Sequence, residues 1–113
     1  MYDLEKRTLR LAVEVREFIK LLPKTPANFE DAKQLIRSSG SIGANYIEAN
    51  EALSKKDFIV RIKICRKEAK ESRYWLRLID TCNEPQQESE RKDLENEATE
   101  LMNIFRSILR KSE

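Results

Sequence analysis

Residues 54–81 constrain this chain more than any other stretch. Phe58, Ile62, Cys65, Ala69, Ser72, Leu76 and Ile79 recur at alternating steps of four and three, which places them on one side of an α-helix. At about 1.5 Å of rise per residue, that seam runs for about 40 Å. A seam of that length needs cover along its whole extent, and within 113 residues other helices of similar length are the economical cover. Only two Gly and three Pro leave few turn positions, which disfavours an all-β fold, and a 40% hydrophobic fraction suffices for a bundle core.

The rest of the chain supplies three further helical patterns. Helix one is predicted over residues 3–22, with Leu4, Thr8, Leu11, Val15, Phe18 and Leu22 as its seam; Leu9, Val13 and Leu21 are read as surface scatter, with a second contact surface as the alternative. Pro23 and Pro26 bracket the turn that ends it. Helix two is predicted over 28–51, with Asn28 as its N-cap and Glu30 and Asp31 in the first turn, where the helix dipole favours acid. Helix three is predicted over 54–82, opened by Ser54 with Asp57 in a capping-box arrangement. Helix four is predicted over 87–111, with Leu94, Ala98, Leu101, Phe105 and Ile108 as its seam. Short loops make neighbours antiparallel. The expectation is an all-α, up-down-up-down four-helix bundle forming a single domain over 1–113.

Projected at about 100° per residue, helix two sorts into three stripes. Leu35, Ser39, Ile42, Tyr46 and Ala49 face the core, Phe29, Ile36, Gly40, Gly43 and Ile47 form a small or apolar stripe, and Gln34, Ser38, Ser41, Asn45 and Glu48 form a polar one. Residues 38–47 carry no charge in a chain that is 37% charged, which suggests contact with protein rather than water. Gly40 and Gly43 each cost about 1 kcal/mol in a helix interior relative to Ala, so a close approach of another backbone is expected there. The stripes stay in phase across both glycines, which favours one continuous helix over two short ones. With Ile64, Trp75 and Leu78 of helix three, the polar stripe is the expected subunit interface.

Several function classes lose support. Histidine is absent, which removes the commonest general base and the commonest transition-metal ligand. No nucleophile stands beside a base and no metal-ligand spacing occurs, so neither an enzyme nor a cofactor or metal is expected. Gly40-Ser41-Ile42-Gly43 lacks the preceding strand and following Lys of a phosphate loop. Cys65 and Cys82 are too far apart along one helix for a disulfide, and Cys65 reads as a buried hydrophobe. No run of eighteen apolar residues crosses a membrane, and the N-terminus does not read as a signal peptide, so a cytoplasmic protein is expected. Glu68 and Glu71 are read as structural: in an antiparallel hairpin Arg37 falls opposite both, and Glu48 falls near Arg61.

The net charge of +2 hides a division. Residues 54–82 carry nine bases against four acids, while residues 83–113 carry five against eight. Lys56, Lys63, Arg66, Lys67, Lys70, Arg73 and Arg77 make one basic arc of helix three. Such a stripe either attracts phosphate through counterion release or is a solvated face balancing the acidic fourth helix. A ring of subunits would repeat the stripe and favour binding. Tyr74 and Trp75 are read as lying off the arc, so no aromatic interleaving marks single-strand stacking.

The runs 34–38, 41–46 and 48–49, then Ser54-Lys55-Lys56-Asp57-Phe58-Ile59, Lys67-Glu68-Ala69-Lys70-Glu71 and Tyr74-Trp75-Leu76 together resemble the bacterial four-helix-bundle proteins encoded in intervening sequences of 23S ribosomal RNA genes. Where many relatives carry Pro followed by Asn-Ile-Ala-Glu-Gly, this chain has Gly43 and Ala49. The resemblance implies an antiparallel bundle with no established enzymatic activity, assembled as a homopentamer. A related branch, the accessory proteins of diversity-generating retroelements, forms pentameric barrels that bind nucleic acid and a reverse transcriptase. The leading expectation is therefore a non-enzymatic homo-oligomer binding structured RNA or DNA through the basic arc. The alternative is an adaptor docking a protein partner such as a polymerase.

Overall fold

The computed structural model describes residues 3–112; Met1, Tyr2 and Glu113, the ends of the expected domain, lie outside them. Four α-helices follow one another: α1 Leu4–Lys20, α2 Pro26–Asn50, α3 Lys55–Leu78 and α4 Pro85–Ser112. There is no strand among the described residues. The expected seams form the core. Leu11, Val15 and Phe18 of α1, Leu35 and Ile42 of α2, Ile62, Cys65 and Leu76 of α3, and Leu101 and Phe105 of α4 are all buried. Burying a large apolar side chain stabilises by about 1.5–3 kcal/mol, so this core is the main source of folding free energy. No helix among the described residues is long and apolar enough to cross a membrane.

The helices pack in sequence order, and their contacts run in opposite directions. Thr8 meets Gly43 while Glu5 accepts a hydrogen bond from Asn50 at 3.2 Å. Along α2 and α3, Asn28 meets Asp80, Ser38 meets Ser72, Ile42 meets Cys65 and Asn45 meets Arg61. Arg7 of α1 reaches Glu97 of α4 at 2.7 Å, closing the bundle.

Helix boundaries differ from the sequence expectation where local hydrogen bonds decide them. Thr25, not Asn28, caps α2: its hydroxyl accepts from the Asn28 N–H at 3.1 Å, and Pro26 opens the helix, where its missing N–H has no cost. Asn28 is buried instead. Its amide donates to the carbonyls of Pro23 and Asp80, at 3.1 and 2.8 Å, and its oxygen accepts from the Asp80 N–H at 3.0 Å. One side chain thus ties the α1–α2 turn to the end of α3. The third helix stops at Leu78, short of 82, because Ile79 turns extended and Cys82 and Asn83 adopt left-handed backbone (φ 55° and 60°). Cys82 therefore lies in a loop. Beyond it the Thr81 hydroxyl donates to Glu88 at 2.7 Å. Arg91, with that hydroxyl, holds the Glu88 carboxyl down at about 2.

α2 is continuous through both glycines, and only Gly43 is explained by a close approach. A Cβ there would lie 2.9 Å from Thr8 Oγ1 and 3.2 Å from Thr8 Cβ, whereas one at Gly40 would come no nearer than 3.7 Å to Arg16. The uncharged stretch has a matching cause. Ser38, Ser39 and Ile42 are fully enclosed by the chain's own helices. Gly40→Ala is expected to raise stability by about 0.5–1 kcal/mol through helix propensity. Gly43→Ala is expected to lower it by about 1–3 kcal/mol through overpacking. Urea denaturation of both variants checks the pair, and equal effects would remove the α1–α2 close approach as the reason for Gly43.

Candidate nucleic-acid interface

α3 packs between α2 and α4, and its remaining side faces water. The seven residues from Lys56 to Lys63, and again to Lys70 and Arg77, rotate the helix by only about 20° per step, so these cations line up at about 10.5 Å intervals. Lys56, Lys63, Lys67, Lys70 and Arg77 are exposed, and Arg66 and Arg73 are half-buried along the flank. Two of the seven have acidic partners. Arg77 Nε donates to Glu95 of α4 at 2.9 Å, and Lys67 Nζ lies 4.0 Å from Glu71. Lys56, Lys63, Arg66, Lys70 and Arg73 make no ion pair or side-chain hydrogen bond among the described residues.

Glu68 and Glu71 of α3 are turned the other way, towards α2. Glu68 is buried, and its two oxygens accept from Arg37 at 3.4 Å each, while Glu71 accepts from Arg37 at 3.0 Å. Arg61 bonds Asn45 at 3.1 Å and not Glu48, which is exposed. The Asn45 amide in turn donates to the Ser41 carbonyl and hydroxyl, at 2.9 and 3.0 Å. These contacts bear on the expected subunit interface. Ser38 is fully buried with its hydroxyl 2.9 Å from that of Ser72, so it presents nothing to a neighbouring subunit. Ser41, Asn45 and Ile64 are half-buried, and Gln34, Glu48 and Leu78 are exposed. Trp75 packs against the core, with an indole N–H that is buried and has no acceptor among the described residues.

Two surface features stand differently from the leading sequence expectation. Tyr74 is 56% exposed and lies on the basic face, seven residues after Lys67 and three before Arg77, so placing it off the arc was an error of projection. The same helical spacing was available to find it. The second is a groove of about 440 Å³ between α1 and α2, lined by Leu9, Ala12, Gly40, Gly43, Ala44 and Ile47 among others. Leu9 and Ile47, 65% and 46% exposed, are neighbours across it rather than scatter. Only the packing of α1 on α2 brings them together. The buried thiol of Cys65 is pushed up to about 12 by desolvation, which makes it inert at neutral pH.

Arg37→Ala is expected to lower stability by about 1–3 kcal/mol, the usual cost of losing hydrogen bonds to a charged, largely buried carboxylate. Adding Glu68→Gln to that variant should recover part of the loss. Chemical denaturation of the single and double variants checks both, and an unchanged midpoint for Arg37→Ala would contradict the pairing.

The comparisons with known proteins agree with this architecture. A family model described as 23S rRNA-intervening sequence protein matches residues 2–107. A crystal structure of a protein with unknown function from the S23 ribosomal protein family of Bacteroides thetaiotaomicron VPI-5482 is 34% identical in sequence. The similarity covers 93% of this chain and 96% of that one, with a TM-score of 0.79. No curated protein matches the chain. This four-helix bundle belongs to the 23S rRNA-intervening sequence protein family.

Proposed function

We propose that this protein is a non-enzymatic, homo-oligomeric bundle of the cytoplasm that binds structured RNA or DNA through the outward face of α3. The observation that carries the reading is the row of five cations without acidic partners, Lys56, Lys63, Arg66, Lys70 and Arg73. They span about 26 Å of helix. Elsewhere on the same helix, Arg77 pairs with Glu95 and Lys67 lies near Glu71. A row of unpaired cations attracts phosphates and releases their counterions, giving affinity without reading sequence.

Self-association strengthens the reading, because several α3 faces in one assembly bind a polyanion with avidity. A pentamer follows from the family resemblance alone. With Ser38 enclosed, one surface suited to subunit contact is the apolar α1–α2 groove around Leu9 and Ile47. The same groove supports a second reading, an adaptor that docks a nucleic-acid enzyme such as a reverse transcriptase. Co-purification of such an enzyme that survives nuclease treatment, and is lost in Leu9→Glu, would favour it.

Lys63→Glu combined with Lys70→Glu tests the main reading, since both side chains are exposed and neither supports the fold. Binding to an RNA hairpin should weaken at least about tenfold at moderate salt. The slope of log affinity against log salt should fall by about two. Unchanged affinity and slope, with the helical content intact, would refute the α3 face as the binding surface.

A further inference from the structure

Tyr74 is the aromatic side chain on the cationic face, and its position suits one kind of contact. In helical projection it stands about 20° from Lys67 and about 40° from Lys70. It lies outside the hydrophobic core and is more than half exposed. Its ring nevertheless has an anchor: it meets the Trp75 ring edge-to-face, with centroids 5.2 Å apart and planes at 75°. Trp75 is itself packed against the core, so the tyrosine ring is braced from below. Leu78, one turn further and 47% exposed, extends the apolar shelf.

A braced aromatic ring among cations has little to grip on a duplex, whose base faces are stacked on one another. An unpaired base offers a π-face of the same size, and stacking on it tolerates any base. We infer that Tyr74 is a stacking platform for an unpaired nucleobase, with Lys67 and Lys70, which precede it on the same face, holding the adjacent phosphates. This rests on the proposed nucleic-acid reading and specifies its substrate class: single-stranded or looped segments rather than uninterrupted duplex.

Trp75, the sole tryptophan, lies beside the platform and reports on it. Purified protein is titrated with a short unstructured RNA, with single-stranded DNA of the same sequence, and with the corresponding blunt RNA duplex at one salt concentration. Trp75 emission should change on binding either single strand. Tyr74→Ala should weaken single-strand binding by about 5- to 100-fold, Tyr74→Phe should retain it, and duplex affinity should move by less than about twofold. Binding of RNA and DNA single strands alike indicates stacking alone, and preference for RNA indicates that the 2′-hydroxyl is read as well; both support the platform. Tyr74→Ala that binds single strands normally, that weakens duplex and single strand equally, or that changes the sedimentation mass of the assembly, would overturn it. Failure of the wild-type protein to bind any of the three would instead overturn the nucleic-acid reading on which it stands.

Discussion

Glu68 needs a partner, and α2 supplies it. A carboxylate buried on a helix face is costly unless it is paired, so α3 must present Glu68 to Arg37. Three further polar contacts fix the same register along the seam: Asn28 to Asp80, Ser38 to Ser72, and Asn45 to Arg61. Together they leave α3 little freedom to slide or rotate. The rotation that buries Glu68 turns Lys63 and Lys70 towards water on the opposite side. The cationic face is thus a consequence of how the α2–α3 pair is locked, and the proposed binding surface and the fold share one cause.

The seams were legible because each helix repeats its apolar positions over at least four turns, and Leu4 through Leu22, Phe58 through Ile79 and Leu94 through Ile108 form or line the core. What periodicity does not show is which neighbour meets which stripe. Ser38 reads as an outward polar residue until α3 is placed beside it, since a small hydroxyl serves equally in a dry seam and at an interface. The α2 cap was ambiguous for a related reason. Thr25 and Asn28 are both good caps one turn apart, and Pro26 decides between them by opening the helix. The end of α3 carried no Gly or Pro before Pro85, so the left-handed turn at Cys82 and Asn83 had no sequence mark beyond the tolerance of asparagine.

Two of the surfaces open among the described residues are unlike in chemistry. One is the cationic row of α3 with Tyr74 in its midst; the other is the apolar groove where Gly43 lets α1 close on α2. They lie on different helices, so one can serve subunit contact while the other remains available to a ligand. That division fits a scaffold whose chemistry is positioning and charge, and it gives the unpaired lysines a reason that bundle stability alone does not.

Binding of the purified, nucleic-acid-free protein to labelled structured RNA across a salt series is the most direct measurement. Affinity should fall steeply and linearly on a log–log plot, with a slope of about −3 to −5 for the five unpaired cations. No binding at low salt, or affinity indifferent to salt, would contradict it and reduce the α3 row to a solvated helix face.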